Sequence, residues 1–405
     1  GGFALVSLGF APSFLARTAF AQGRSVRAKQ LIAIFQRGAV DGLSVVVPFG
    51  EPEYYRARPS IGIAQPNAGD HAAIDLDGFF GFNPRLGSLK SLWDARQLAI
   101  VHACGSPDNT RSHFDAQDYM ETATPGVKST SDGWLNRYLQ ARHVEASTPF
   151  RAVSLTSQLP RMLQGTAPAL AVNQIGQFGI RGGQSSDIMS ASFESQYAAA
   201  ADSVLNGTGK EAFDAIKMLK VADPSKYQPE NGADYPRSPF GQALRQIAQL
   251  TKANVGLEVA FADLGGWDTH VNQGAAEGQL ANRLDDFGRS IAALVADLGD
   301  RMEDTVVLTM SEFGRAVHEN GNRGTDHGHA NAMMVIGGGV RGGHVYGKWP
   351  GLAQDRRYEG RDLAVTTDFR DVFGEIVVRH MGVSDTRPIF PGYTVQPSKF
   401  PGLFA

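Results

Sequence analysis

Short apolar runs recur along the chain, with stretches of helical period between them. Residues 31–36 (LIAIFQ), 98–103 (LAIVHA), 257–262 (LEVAFA), 306–310 (VVLTM) and 333–336 (MMVI) are almost unbroken runs of apolar side chains. Runs this short and this apolar read as strands buried on both faces, the environment of a parallel sheet. Residues 150–155 alternate like a further strand, and 44–48 (SVVVP) form a second short piece after the first. Helical periodicity appears at 89–96 and 241–252, and most clearly at 278–298, where Leu280, Leu284, Phe287, Ile291, Leu294 and Leu298 share one stripe. Residues 371–381 form a closing helix. The alternation predicts an α/β fold, a doubly wound and mostly parallel sheet with helices on both faces.

Two regions break the rhythm. Residues 182–240 hold polar, alanine-rich stretches and then Pro224, Pro229, Pro236 and Pro239, which reads as a helical insertion or cap rather than a separate domain. Residues 3–14 are mostly apolar, and Ala19-Phe20-Ala21 has the small-x-small form of an export-signal cleavage site before Gln22. Residues 1–21 are therefore expected to be an export signal remnant, and the protein periplasmic or secreted; a buried N-terminal helix is the alternative. The run is shorter than a transmembrane span needs, so no stable membrane span is expected.

Composition changes this picture little. Of 405 residues, 42% are hydrophobic and 20% charged, as in ordinary soluble domains. A net charge of −3 gives no reason to expect nucleic acid or an anionic membrane as partner. The single cysteine, Cys104, cannot form an intramolecular disulfide.

Residue types that do chemistry gather behind the strands. The first strand leads to RGAVDGLS (37–44), the second to RSHFDAQDYME (111–121), and the run ending at 262 to GGWDTH (265–270). The run ending at 310 leads to SEFGR (311–315) and then to GTDHGHAN (324–331). Ligands of open α/β sheets bind at the carboxyl ends of strands, so these segments are expected to share one site. Asp326, His327 and His329 fall within four positions between glycines, and imidazole with carboxylate suits Zn²⁺, Mn²⁺ or Fe-type ions. Simpler readings stand beside these. Asp41-Gly42 makes a turn; Ser112 caps a helix or is a nucleophile at its N-terminus; Asp268 and His270 are a turn aspartate and a surface histidine, or a ligand pair. His102 reads as a core histidine, and His71, His143, His318 and His380 as surface residues. No GxSxG, Walker, HExxH or GxGxxG signature is present.

Taken together, the five segments resemble the DUF1501 family of exported bacterial proteins, often led by a twin-arginine signal, over about residues 28–400. That family is placed by fold with the alkaline phosphatase and sulfatase superfamily. TDHGHAN is also similar to the TADHGN metal-binding loop of cofactor-independent phosphoglycerate mutases. The resemblance implies two divalent metal ions, Zn, Mn, Mg or Ca. It implies Asp41 as an early ligand, Asp326 and His327 as a pair on one ion, Asp268 and His270 on the other, and His329 or His344 as the last ligand. It further implies Ser112 as nucleophile beside His113, with Arg111 or Arg315 holding ester oxygens, as Arg37 could. A formylglycine sulfatase is excluded, because neither Cys104 nor Ser112 is followed by Pro at the second and Arg at the fourth position. The expected activity is metal-dependent hydrolysis of a phosphate or sulfate ester of a small molecule or glycan. The alternative is a non-catalytic metal-binding envelope or assembly protein with the same fold.

Overall fold

The computed structural model describes residues 28–142, 144, 148–175 and 226–405; the expected export segment, most of the expected insertion and His143 lie outside them. Nine strands form one sheet: β1 (Gln30–Arg37), β2 (Leu98–Gly105), β3 (Ala152–Ser154), β4 (Leu170–Ala171), β5 (Val259–Gly265), β6 (Thr305–Met310), β7 (Asn331–Gly337), β8 (Val345–Tyr346) and β9 (Thr367–Asp368). Their spatial order is β8-β2-β7-β6-β1-β5-β3-β4, with β9 also paired to β2.

Apolar side chains on both sides of β1 explain why helices cover both faces. Leu31, Ala33 and Phe35 pack with α1 (His113–Thr122), α2 (Trp134–Ala141) and α5 (Phe369–Glu375). Ile32 and Ile34 point the other way, into α3 (Pro239–Lys252) and α4 (Gln279–Leu298). Each of the larger ones, Leu31, Ile32, Ile34 and Phe35, contributes roughly 1.5–3 kcal/mol. The stripe expected on 278–298 is the buried face of α4. Buried Asp297 near its end accepts from Tyr227, Tyr235, Lys252 and the Glu230 amide, which pins the segment leading into α3. Among the described residues, no helix is long and apolar enough to cross a membrane.

One strand runs against the rest of the central sheet. Val335 of β7 pairs antiparallel with both Leu308 of β6 and Ala99 of β2, whereas β1 runs parallel to β5 and β6. The start of β7, at Asn331, therefore lies beside Cys104 near the carboxyl end of β2. A loop that precedes β7 thus reaches the same edge as the loops that follow β1, β5 and β6. Nearby, Ala103 takes a left-handed φ of 52° inside β2, where the β2–β7 register shifts.

Three expectations need correction. The piece at 44–48 begins as a helical turn, Gly42–Val45, because the Ser44 and Val45 amides bond back to the Asp41 carbonyl; only Val46–Val47 is extended. The closing helix is α-helical only to Glu375 and continues as a π-helical turn, Ile376–His380. His380 is not a surface residue: it is buried, the Phe404 ring stacks 6.1 Å from it, and its Nε2 bonds the Gln30 carbonyl. His102 is a core histidine as expected, with Nε2 on the Val46 carbonyl and Nδ1 accepting from the Ala103 amide.

Burial pushes both His102 and His380 down to about 4, from 6.5 in an unfolded chain. Between those values the unfolded state binds more protons. Their contribution to stability is therefore complete above about pH 6.5 and is lost as pH falls toward about 4, by roughly 3 kcal/mol per histidine. Denaturant unfolding across this range should show the decline, and His102→Gln or His380→Gln should each flatten it. Stability that stays level over the range would contradict this account.

Candidate metal centre

The carboxyl edge is assembled by loops in very close contact. Gly38, with φ +113°, lies so near the β5 loop that a Cβ there would meet the Asp268 amide nitrogen at 2.8 Å. A Cβ on Gly314 would lie 1.9 Å from the Ala330 carbonyl oxygen. Into this junction runs the guanidinium of Arg315, which has no exposed side-chain surface. Nε donates to the Ala39 carbonyl (2.7 Å), Nη1 to Thr325 (3.0 Å), and Nη2 to Gly38 (2.7 Å) and Trp267 (3.1 Å). Nη2 also holds Asp268 Oδ1 at 2.5 Å. Burial alone would raise the Asp268 carboxyl, but Arg315, with His270 and His113, together outweigh it and hold the group below the usual range.

Two histidines turn toward Asp268. His113 opens α1, and its Nδ1 lies 2.8 Å from Glu312 Oε1. Its Nε2 is buried with no hydrogen-bond partner among the described residues and lies 3.5 Å from Asp268 Oδ2. The Glu312 contact raises His113 more than burial lowers it. Glu312 is itself fully buried. Burial would raise its carboxyl, yet bonds from His113, Gln117 and backbone amides including Gly38 hold it low. His327 places Nδ1 2.8 Å from the Arg111 carbonyl oxygen. A carbonyl only accepts, so Nδ1 carries the proton and Nε2 presents a lone pair. That Nε2 is 3.2 Å from Asp268 Oδ1, and burial lowers the His327 pKa. Ligand atoms of His113, Asp268 and His327 all lie within 4.8 Å of one another. Phe313 stacks on His113 at 5.0 Å and forms an apolar wall.

A second pair flanks this group. His270 Nε2 is 3.0 Å from both Asp268 Oδ1 and His327 Nε2, while its Nδ1 is 3.3 Å from Asp326 Oδ1. Asn320 Nδ2 donates to the same Asp326 oxygen at 3.0 Å.

The other expected residues are placed elsewhere. Asp41 is not brought to the cluster. It is fully buried, and its oxygens take Arg58 Nη1 (2.5 Å) and Nη2 (2.9 Å), Ser44 Oγ (2.7 Å) and Gln273 Nε2 (2.7 Å). His329 stacks on Tyr358 at 4.3 Å, and His344 sits on an edge next to Val345, which pairs with Ile100 near the amino end of β2. At about 3.3 Å per residue that is some 15 Å from the carboxyl edge. Ser112 Oγ caps α1 by accepting from the Asp115 amide at 3.5 Å. Arg111 is tied to Asp362 (2.6 Å) and Glu359 (2.7 Å), and Arg37 to Asp263 and Glu121, so the charge of each is already matched by two carboxylates, while the Arg315 fork is taken up by carbonyls and Asp268. His113, expected beside a nucleophile, is instead part of the ligand group.

Sequence reading missed Arg58, Gln273 and Gln117 altogether and gave Glu312 no role. Glu312 carried a usable signal, two residues past the end of β6 in SEFGR. Arg58 carried none, since nothing local marks an arginine that will be buried.

The residues present fit a small cation. Two imidazole lone pairs and a carboxylate face one another, and one of those nitrogens is buried without a partner. Mutual repulsion among such acceptors is relieved by a cation between them.

A family model described as a protein of unknown function, DUF1501, matches residues 28–385. No curated protein sequence matches significantly. Among solved structures, the chain is similar to the C-terminal periplasmic domain of EcEptC from Escherichia coli in complex with Zn, at 10% identity and a TM-score of 0.37, covering 78% of this chain and 74% of that one. It is also similar to the PsFucS1 sulfatase from Pseudoalteromonas sp., at 13% and 0.40, covering 93% and 72%. A third is the phosphonate monoester hydrolase of Agrobacterium radiobacter, at 10% and 0.33, covering 92% and 78%. At such low identities and TM-scores, the functional reading rests on this chain's own residues.

Asp41→Asn should lower the unfolding free energy by about 3–5 kcal/mol, because it leaves the Arg58 charge buried without its counter-ion. Metal content of the folded variant should match the parent. Lost metal with unchanged stability would instead make Asp41 a ligand.

Proposed function

We propose that this chain, which belongs to the DUF1501 family, is an exported hydrolase of a phosphate or sulfate ester working on one divalent ion held by His113, Asp268 and His327. The buried, unpartnered Nε2 of His113, aimed toward Asp268, is the observation that carries this reading. Two imidazoles and a carboxylate suit Zn²⁺ or Mn²⁺ better than Mg²⁺ or Ca²⁺, which prefer oxygen ligands. An ion bound there supplies Lewis-acid stabilisation of charge on an ester oxygen.

The protein's own groups do the rest. Glu312 and the Arg111 carbonyl fix the tautomer and direction of the two imidazoles. Arg315 keeps Asp268 ionised and in place. His270, backed by Asp326, is positioned to exchange a proton at Nε2 with an ester seated on the cluster. No hydrogen bond links the Ser112 hydroxyl to His113, Asp268, His270 or His327 among the described residues, so the nucleophile in this reading is water.

The same placement favours a second reading, a non-catalytic metal-binding envelope or assembly protein, since the expected side-chain nucleophile has no base bonded to it among the described residues. Elemental analysis of the purified chain should find close to one equivalent of Zn or Mn. His113→Ala and His327→Ala should each lose metal and turnover of aryl phosphates or aryl sulfates together. Asp326→Ala should keep the metal while turnover falls about 10²–10⁴-fold. No metal as purified, and no calorimetric binding of added Zn²⁺ or Mn²⁺, would sink the metal reading. Bound metal without turnover of either ester class would leave the second reading standing.

A further inference from the structure

Next to the metal centre, at the carboxyl ends of β1, β3 and β5, a groove of about 430 Å³ opens between the 155–160 loop and the start of α3. Its volume lies in the range of small-molecule sites, but its lining departs from their mainly apolar pattern. Arg37, Asp263, Ser157, Gln158 and Asn173 all border it, with Phe240 as the aromatic wall. Arg37 and Asp263 pair through Nε and Oδ2 at 2.6 Å, which leaves Arg37 Nη2 and Asp263 Oδ1 with no bond to described residues. The side chains of Ser157, Gln158 and Asn173 likewise make no hydrogen bond within the described protein.

Charge decides which ligand fits. Arg37 is matched by Asp263 and also by Glu121 at 2.9 Å, so the floor carries no surplus positive charge for a phosphate or sulfate. What it offers is a set of planar amide, carboxylate and guanidinium edges with a hydroxyl, able to donate and accept at neighbouring points. Adjacent hydroxyls on a saturated ring present the complementary pattern, and the Phe240 wall suits the apolar face of such a ring.

The groove is also joined to the metal centre. Arg37 Nη1 donates to Gln117 Oε1 (2.9 Å), Gln117 Nε2 to Glu312 Oε1 (2.9 Å), and Glu312 Oε1 bonds His113 Nδ1 (2.8 Å). One chain of hydrogen bonds thus runs from the groove floor to a metal-facing imidazole. We infer that this groove binds the polyhydroxylated, glycosyl part of the substrate. The inference takes its place in catalysis from the hydrolase reading above, but sugar binding can be tested apart from it.

The test is saturation-transfer NMR on the full chain with D-glucose, D-galactose, L-fucose and N-acetylglucosamine as probes, and cyclohexanol and inorganic sulfate as controls. At least one sugar should receive saturation, and neither control should displace it. Ser157→Ala/Asn173→Ala should weaken that sugar at least about tenfold, the loss of two hydrogen bonds, while folding as the parent by circular dichroism. His327→Ala should retain sugar binding, which separates this inference from the metal reading. No transfer to any sugar, displacement by sulfate, or unchanged binding in the double variant would overturn it, whatever the metal content.

Discussion

A single buried guanidinium holds the working edge together. Arg315 bonds carbonyls at Gly38, Ala39, Trp267 and Thr325, from three separate loops, and grips Asp268 as well. A cation with no water around it must have its donors satisfied by the protein, and the planar fork allows little freedom in how that is done. The loops are therefore fixed relative to one another, and Asp268 is fixed as an anion between them. Asp41 and Arg58 repeat the device one layer deeper, where Arg58 also bonds the Ala316 and Val317 carbonyls. Histidines mounted on so rigid a base keep their lone pairs convergent even though those lone pairs repel.

The strands were legible because buried strands must be apolar on both faces, and β1, β2, β5, β6 and β7 lie close to the runs that predicted them. Where the candidate residues gather was legible for the same reason, since reactive residues followed the strand ends. The identities of its members were only partly so. Asp268, His270, Asp326 and His327 do come together, and so does His113, which sequence had placed beside a nucleophile. Residue type shows what a side chain can bind but not whether something else has already taken its lone pairs. Asp41 looks like a ligand until Arg58, seventeen positions away, occupies both its oxygens. His329 sits two residues from His327, yet its ring lies against Tyr358 instead.

The residues expected to share two ions are grouped unevenly. Without Asp41, the remaining groups sort into one tight set of three and one outward pair, His270 with Asp326. Those two contact each other and reach the first set only through His270 Nε2. The division follows from partners: Asp268 is gripped by Arg315, while the far ring nitrogen of His270 is drawn to Asp326.

The antiparallel course of β7 bears on the order in which the molecule can form. Its place lies between β2 and β6, so those two strands cannot join the same sheet until residues 331–337 have been made and inserted. Until then a nascent chain has two open strand edges and no His327, and contacts between distant segments form slowly. The candidate metal centre and the joining of β2 to β6 are thus completed by one late event. A chain stalled before it would be at once aggregation-prone and without its full set of candidate ligands, so one insertion both joins the two halves of the sheet and assembles the site.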